Sequence, residues 1–210
     1  MKPLILITGA NQGLGYATAK QLASTGKYRH LIGARTQKTV EEAIEKLGSA
    51  SNDLTPVILD LNIDESIKLA AAFIQERFGS LDIFCLETNV FGVVVVMDAF
   101  LPLLRASKYS DLRIGDVTSG LGQIGITYSP TSDKTALNMI NAVDAVRLQK
   151  ENILSIVVCP GYCRKDFGAG RGAKSAEEGA QPIVRAATEG LQKNFGKVVE
   201  DEGHFVEFGW

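Results

Sequence analysis

The sequence predicts an α/β fold built on one doubly wound parallel sheet, and three observations predict it. Short apolar runs alternate with longer stretches of helical periodicity along the whole of the 210 residues. Most of the short runs are continuously apolar rather than alternating, as strands covered on both faces are. The first of them ends in a glycine cluster that leads directly into a helical pattern.

Taken in order, Leu4-Ile5-Leu6-Ile7 is the first predicted strand and Leu14–Ser24 the first helix. Strand Leu31–Ala34 and helix Thr39–Leu47 form the second pair, and Pro56–Asp60 and Glu65–Phe78 the third. Leu81–Cys85 and Val90–Arg105 come next, followed by Leu112–Thr118 and Thr135–Gln149. Ile153–Cys159, Ala176–Gln192 and a last strand, Lys197–Glu200, complete the series. Every helix carries apolar residues at helical spacing. Ser175-Ala176-Glu177-Glu178 is a helix-start pattern with acids in the first turn. Repeated strand-helix alternation requires right-handed crossovers and a parallel sheet. No composition shift, repeat or linker interrupts it, so residues 1–210 read as a single domain.

Composition narrows the function classes. Hydrophobic residues at 45% and charged residues at 22% are an ordinary globular balance. A net charge of −2 without a basic block argues against nucleic acid and anionic membranes as partners. The longest apolar stretch, Val90–Leu104, is too short to span a bilayer and contains Asp98 and Pro102. The opening Met1-Lys2-Pro3 runs straight into the first strand and reads as part of it rather than as a signal peptide. Cys85, Cys159 and Cys163 are odd in number and lack metal-ligand spacing, which fits a reduced, cytoplasmic compartment. His30 precedes the second predicted strand and His204 lies in an acidic tail. Both read as surface residues, and no metal site is expected.

The glycine cluster carries the first chemistry. In Thr8-Gly9-Ala10-Asn11-Gln12-Gly13-Leu14-Gly15 the chain has to turn tightly, bring backbone amides close to a pyrophosphate and seat the helix near the strand. The helix N-terminus then offers unpaired N–H groups and a positive dipole end. Between a first strand and a first helix, this is the arrangement of a Rossmann-type dinucleotide site. The second strand ends in Gly33-Ala34-Arg35-Thr36, with no carboxylate to bind a ribose 2′-hydroxyl. Arg35 either pairs with a 2′-phosphate, helped by a donor from Asn11, or is a solvated loop cation. The expected cofactor is NADP(H) ahead of NAD(H).

These residues, with others, resemble the short-chain dehydrogenase/reductase family, particularly its carbonyl-reductase-like members, over nearly the whole chain. Thr8, Gly9, Gly13 and Gly15 match the family's cofactor motif, and Asp60-Leu61 matches the pair that lines the adenine. Thr88-Asn89-Val90-Phe91-Gly92 resembles the start of the long central helix, and Val117-Thr118-Ser119-Gly120 the strand end that carries the catalytic serine. Lys134-Thr135-Ala136-Leu137-Asn138 resembles the helix of the active-site lysine. Cys159-Pro160-Gly161-Tyr162 resembles the segment beside the nicotinamide, where the family counterpart of Tyr162 is a packing residue. Glu202-Gly203 and Trp210 are similar to carbonyl-reductase-type tails.

The resemblance implies that a tyrosine phenol protonates the substrate carbonyl while nicotinamide delivers hydride, and that a lysine four residues later lowers the phenol pKa. It implies that Ser119 orients the carbonyl oxygen and that Asn89, which could equally be a helix cap, supports a water relay. In a cofactor-binding protein Lys134 can also bond ribose hydroxyls, a role that needs no tyrosine. It further implies a small carbonyl or alcohol substrate and a homodimer or homotetramer formed through helices 90–105 and 135–149.

Three departures accompany the resemblance. Pro130 stands four residues before Lys134, where the tyrosine belongs, and Tyr128 is six residues before it. In a continuous helix Tyr128 would point about 120° away from Lys134. The phenol is either swung toward Ser119 and Lys134 by the Ser129-Pro130 turn or is a loop tyrosine with a solvated hydroxyl. An Asn-Asn-Ala-Gly segment is missing after Cys85, where Leu86-Glu87-Thr88-Asn89 follows directly. Lys165 stands where the family has a threonine. Gly168–Gly172 reads as a substrate-side loop, with Arg171 either gripping an anionic group or part of a connector. Two readings stay open: an NADP(H)-dependent oxidoreductase with an altered active site, or a dinucleotide-binding or truncated family member without catalysis.

Overall fold

The computed structural model describes residues 2–48, 53–86, 90–118, 133–164, 172–189, 197–200 and 204–207. Among them eight strands form one sheet: β1 Leu4–Ile7, β2 Arg29–Ala34, β3 Leu54–Ile58, β4 Ile83–Leu86, β5 Leu112–Val117, β6 Ile153–Val158, β7 Lys197–Val199 and β8 Phe205–Glu207. The helices between them are α1 Gly13–Ser24, α2 Gln37–Leu47, α3 Asp64–Phe78, α4 Val90–Ala106, α5 Asp133–Gln149 and α6 Ala176–Thr188. The spatial order is β3-β2-β1-β4-β5-β6-β7-β8. All neighbouring pairs are parallel except β7 with β8.

The continuous apolar strands divide their side chains by simple alternation. Leu4 and Leu6 of β1 face a core shared with Ile67 and Ile74 of α3, Phe100 of α4 and Leu148 of α5. Ile5 and Ile7, one residue out of phase, face Leu22 of α1 and Val40 of α2. A third cluster joins Val117, Ile156 and Val158 to Leu14, Ile183 and Ala186 beneath α6. Phe84 and Phe100 are fully buried and stack at 5.1 Å between ring centroids, anchoring α4 to β4. The winding direction reverses at β1: the chain runs outward to β2 and β3, then returns through α3 to place β4 on the other side of β1. In sheets of this kind the crevice beyond the carboxyl ends of the two strands at such a reversal is where ligands bind.

The structure moves several element boundaries. β2 begins at Arg29, with Leu4 opposite Arg29 and Ile5 opposite His30, rather than at Leu31. His30 is therefore inside the strand and only 1% exposed, against the expected surface position. His204 is exposed, 3.3 Å from a Glu200 carboxylate oxygen. β3 ends at Ile58 and leaves Asp60 beyond the strand, and α6 ends at Thr188. β8 was not expected at all. The Ser175 start signal holds: its hydroxyl accepts from the Glu178 N–H at 3.2 Å, and the Glu178 carboxylate accepts from the Ser175 N–H at 2.7 Å. Among the described residues, no helix is long and apolar enough to cross a membrane.

Candidate functional site

A parallel sheet brings the carboxyl ends of its strands to one edge, and the residues the sequence singles out follow those ends. Thr8 follows β1, Arg35 follows β2, Asp60–Leu61 follows β3, Thr118 follows β5 and Pro160–Gly161 follows β6. Thr8 is buried and its N–H donates to the Cys85 carbonyl at 3.1 Å, tying the turn to β4. The Ala10 N–H donates to the Gly33 carbonyl at 2.9 Å, tying the same turn to β2.

Two glycines have physical reasons that can be read off directly. Gly13 has φ +55, a backbone region that L side chains rarely adopt, and nothing lies within 4 Å of where its β-carbon would be. Gly15 is the opposite case: a β-carbon there would sit 2.5 Å from the Gly9 carbonyl oxygen and 2.9 Å from that of Thr8. The turn thus offers an open face above Gly13 and a closed one beneath Gly15. Gln12 is the residue before α1 and is extended, and its side chain makes no capping hydrogen bond. The first intrahelical bond is Tyr16 N–H to the Gln12 carbonyl at 3.1 Å, and the first turn holds no acidic residue. The leading N–H groups and the positive dipole end of α1 are therefore left to an anion. Asn11 is half-buried and Gln12 exposed at this opening. Leu14 contributes its backbone only, because its side chain is buried against α6.

Arg35 is exposed immediately beyond β2, and no carboxylate precedes α2, whose cap is Thr36 accepting from the Thr39 N–H at 3.3 Å. Asp60 is half-buried, and one carboxylate oxygen accepts from the Asn62 N–H at 3.0 Å and from the Asn62 side-chain amide at 3.1 Å. Its own N–H donates to Ser66 at 2.9 Å, so the Asp60–Leu61 corner is held by α3. Pro160 is buried and its carbonyl accepts from the Cys163 thiol at 3.3 Å, while Gly161 turns with φ +78. Tyr162 is 68% exposed, which overturns the packing role implied for it: the Gly161 turn directs it outward. The Cys85 thiol beneath the turn is pushed up to about 12, first by burial and then by Asp116, so it is no nucleophile.

Asn89, Ser119 and Tyr128 lie outside the described residues, as do Pro130, Lys165 and Arg171. Lys134 is placed in the first turn of α5, and only its backbone is described. Two residues of this edge stand in the matched motifs but receive no role from the sequence. Thr118, next to Ser119, is 4% exposed and donates its hydroxyl to the side-chain oxygen of Asn138, 2% exposed, at 2.5 Å. The only signal for Asn138 was its place one helical turn after Lys134.

A family model described as short chain dehydrogenase matches residues 3–86. Over its whole length the chain is 57% identical to the short-chain dehydrogenase anuI of Penicillium roqueforti, covering 98% of that protein. It is 33% identical to the short-chain dehydrogenase/reductase eupG of a Phoma species, again over the whole chain and 93% of the relative. The first alignment runs over 247 positions against 210 residues here, so that relative carries internal residues this chain lacks. In three dimensions the NADPH-bound carbonyl reductase from chicken fatty liver, 21% identical, superposes with a TM-score of 0.85 over 99% of this chain and 100% of that one. The two share a fold.

Proposed function

Because the chain belongs to the short-chain dehydrogenase/reductase family, we propose that it is an NADP(H)-dependent oxidoreductase acting on a small carbonyl or alcohol, with residues 1–210 forming one dinucleotide-binding domain. The observation that carries the cofactor reading is the uncapped start of α1 beneath the open face of Gly13. A pyrophosphate fits that donor set: bare N–H groups, a positive dipole end and no competing acid. Thr8, Gly9, Gly13 and Gly15 shape the cradle, and Asn11, Gln12 and Leu14 contribute the rest of its backbone. Arg35 would pair with the 2′-phosphate, Asp60 and Leu61 would flank the adenine, and Lys134, Pro160 and Gly161 would hold the nicotinamide half. The absence of an acid beyond β2 supports NADP(H) over NAD(H).

Reduction needs a hydride at the carbonyl carbon, which reduced nicotinamide supplies when bound, and a proton at the oxygen, which the chain must supply. Ser119 orients the carbonyl oxygen through its hydroxyl. Tyr128 gives the proton from its phenol oxygen, Lys134 lowers that phenol's pKa, and Asn89 supports the water that returns the proton. Pro130, at the position where relatives of this type carry the phenol, favours a second reading: a protein that holds the dinucleotide without proton transfer. The internal residues missing relative to the Penicillium protein point the same way.

NADPH consumption with isatin and para-nitrobenzaldehyde separates the two. Turnover that falls about a hundredfold in Tyr128→Phe and Ser119→Ala supports the oxidoreductase. A protein that binds NADPH and reduces neither probe supports the second reading. Association through α4 and α5 is part of the proposal, supported by the exposed Val94, Met139 and Val143, which line one groove. Sedimentation as a monomer at micromolar concentration would remove it. Cys85, Cys159 and Cys163 form no disulfide, which supports a reducing, cytoplasmic setting.

A further inference from the structure

We infer that Asn138 is a positioning residue, fixing through Thr118 the register between the β5 end that leads into Ser119 and the helix that carries Lys134; the inference rests on the reading of Ser119 and Lys134 proposed above. The contact is a buried hydrogen bond, from the Thr118 hydroxyl to the Asn138 side-chain oxygen at 2.5 Å. Thr118 is also held from the other side, its N–H donating to the Val158 carbonyl of β6 at 2.8 Å. The residue before Ser119 is thus pinned to the sheet by its backbone and to α5 by its side chain.

Asn138 lies four residues after Lys134, which puts the two on one face of α5 about a turn apart. Sliding α5 by one residue would turn Lys134 by about 100° about the helix axis. A hydrocarbon contact tolerates slips of that kind, whereas a hydrogen bond is directional and weakens steeply once its length or angle leaves a narrow range.

The surroundings support this role. On the same sheet face Leu112, Ile114 and Ile153 pack in hydrocarbon against Leu137 and Leu148 of α5. Further along, the character changes: Asp116, Thr118 and Ser155 of the sheet and Asn138 and Asn141 of α5 are buried polar residues, and Thr118 bonds Asn138. Asn141 donates to the Leu137 carbonyl at 3.1 Å, within its own helix. Burying polar side chains where Val and Leu would pack costs stability unless they are bonded, and bonding returns only part of it. A polar pair at this one level is better explained by register than by stability.

The test compares Thr118→Val, Thr118→Ser and Asn138→Leu, with the Thr118→Val/Asn138→Leu double variant. Thr118→Val keeps the side-chain shape and loses the hydroxyl, and so guards against Asn138→Leu failing to fold. The readouts are kcat and KM for NADPH-dependent isatin reduction, NADPH affinity, and amide exchange over residues 116–119 and 133–138. The inference predicts that Thr118→Val and Asn138→Leu each lower kcat about tenfold or more with KM little changed. The double variant is no worse than either single one, and Thr118→Ser stays near wild type. Folded variants with unaltered kcat, or losses that multiply in the double variant, would overturn it. If the wild type binds NADPH but reduces nothing, the catalytic reading fails, and the pair is judged by exchange alone. Faster exchange in both segments of Thr118→Val upholds the register role, and exchange equal to wild type removes it.

Discussion

A β-carbon on Gly15 would lie 2.5 Å from the carbonyl oxygen of Gly9, so α1 and the turn after β1 meet backbone to backbone. The contact is with main chain at three atoms, Gly9 carbonyl carbon and oxygen and the Thr8 oxygen, and none can move as a side chain end would. Gly15→Ala must therefore push α1 off the turn. We expect a loss of about 1–3 kcal/mol in chemical denaturation. NADPH affinity should fall at least tenfold by calorimetry, because the cradle's N–H groups move with the helix.

Arg35 is exposed, so replacing it tests recognition without disturbing the core. Arg35→Gln should leave thermal stability unchanged and weaken NADPH binding about tenfold, the scale of one charge-assisted bond. NADH binding should stay within a factor of about two. Equal losses for both cofactors would assign Arg35 a general rather than a 2′-phosphate role.

His30 gives a pH dependence whose sign is fixed by its burial. Burial, ahead of the opposing charge of Asp53, holds its pKa below 6.5 in the fold. The unfolded chain takes up the proton near 6.5 and the folded chain resists it, so the unfolded state binds more protons in that window. Stability contributed by neutral His30 is complete above 6.5 and declines as the pH drops below it toward the folded-state pKa. Urea midpoints measured through this range should fall on acidification, and His30→Leu should flatten the slope.

Ser175 is not among the residues assigned to the dinucleotide, and its cap supplies a control. Ser175→Ala removes the hydroxyl that accepts from Glu178 N–H and should cost about 1 kcal/mol. NADPH affinity should be unchanged. Ser175→Ala keeps the backbone N–H that does most to hold the Glu178 carboxylate below its ordinary pKa and removes only the smaller contribution, from the hydroxyl.

How far the sequence reaches is visible in particular residues. β1 was legible to the residue because four aliphatic side chains are bounded by proline and by Thr8-Gly9. β2 was legible only from Leu31, since Arg29 and His30 are polar and nothing local shows that the first strand recruits them into the sheet. β8 escaped because three residues of an acidic tail carry no period, and only pairing with β7 makes them a strand. At the site, the glycine spacing announced itself because backbone geometry allows few other residues there. Thr118 and Asn138 did not, because their bond joins positions 20 residues apart and neither residue type is unusual where it stands.

In the proposed function the start of α1, with Arg35, holds NADP(H). Calorimetric titration of the folded protein with NADPH, and in parallel with NADH, tests it most directly. One NADPH site is expected, with affinity at least tenfold above that for NADH. A protein with native circular dichroism that takes up neither dinucleotide, or that prefers NADH, would contradict it.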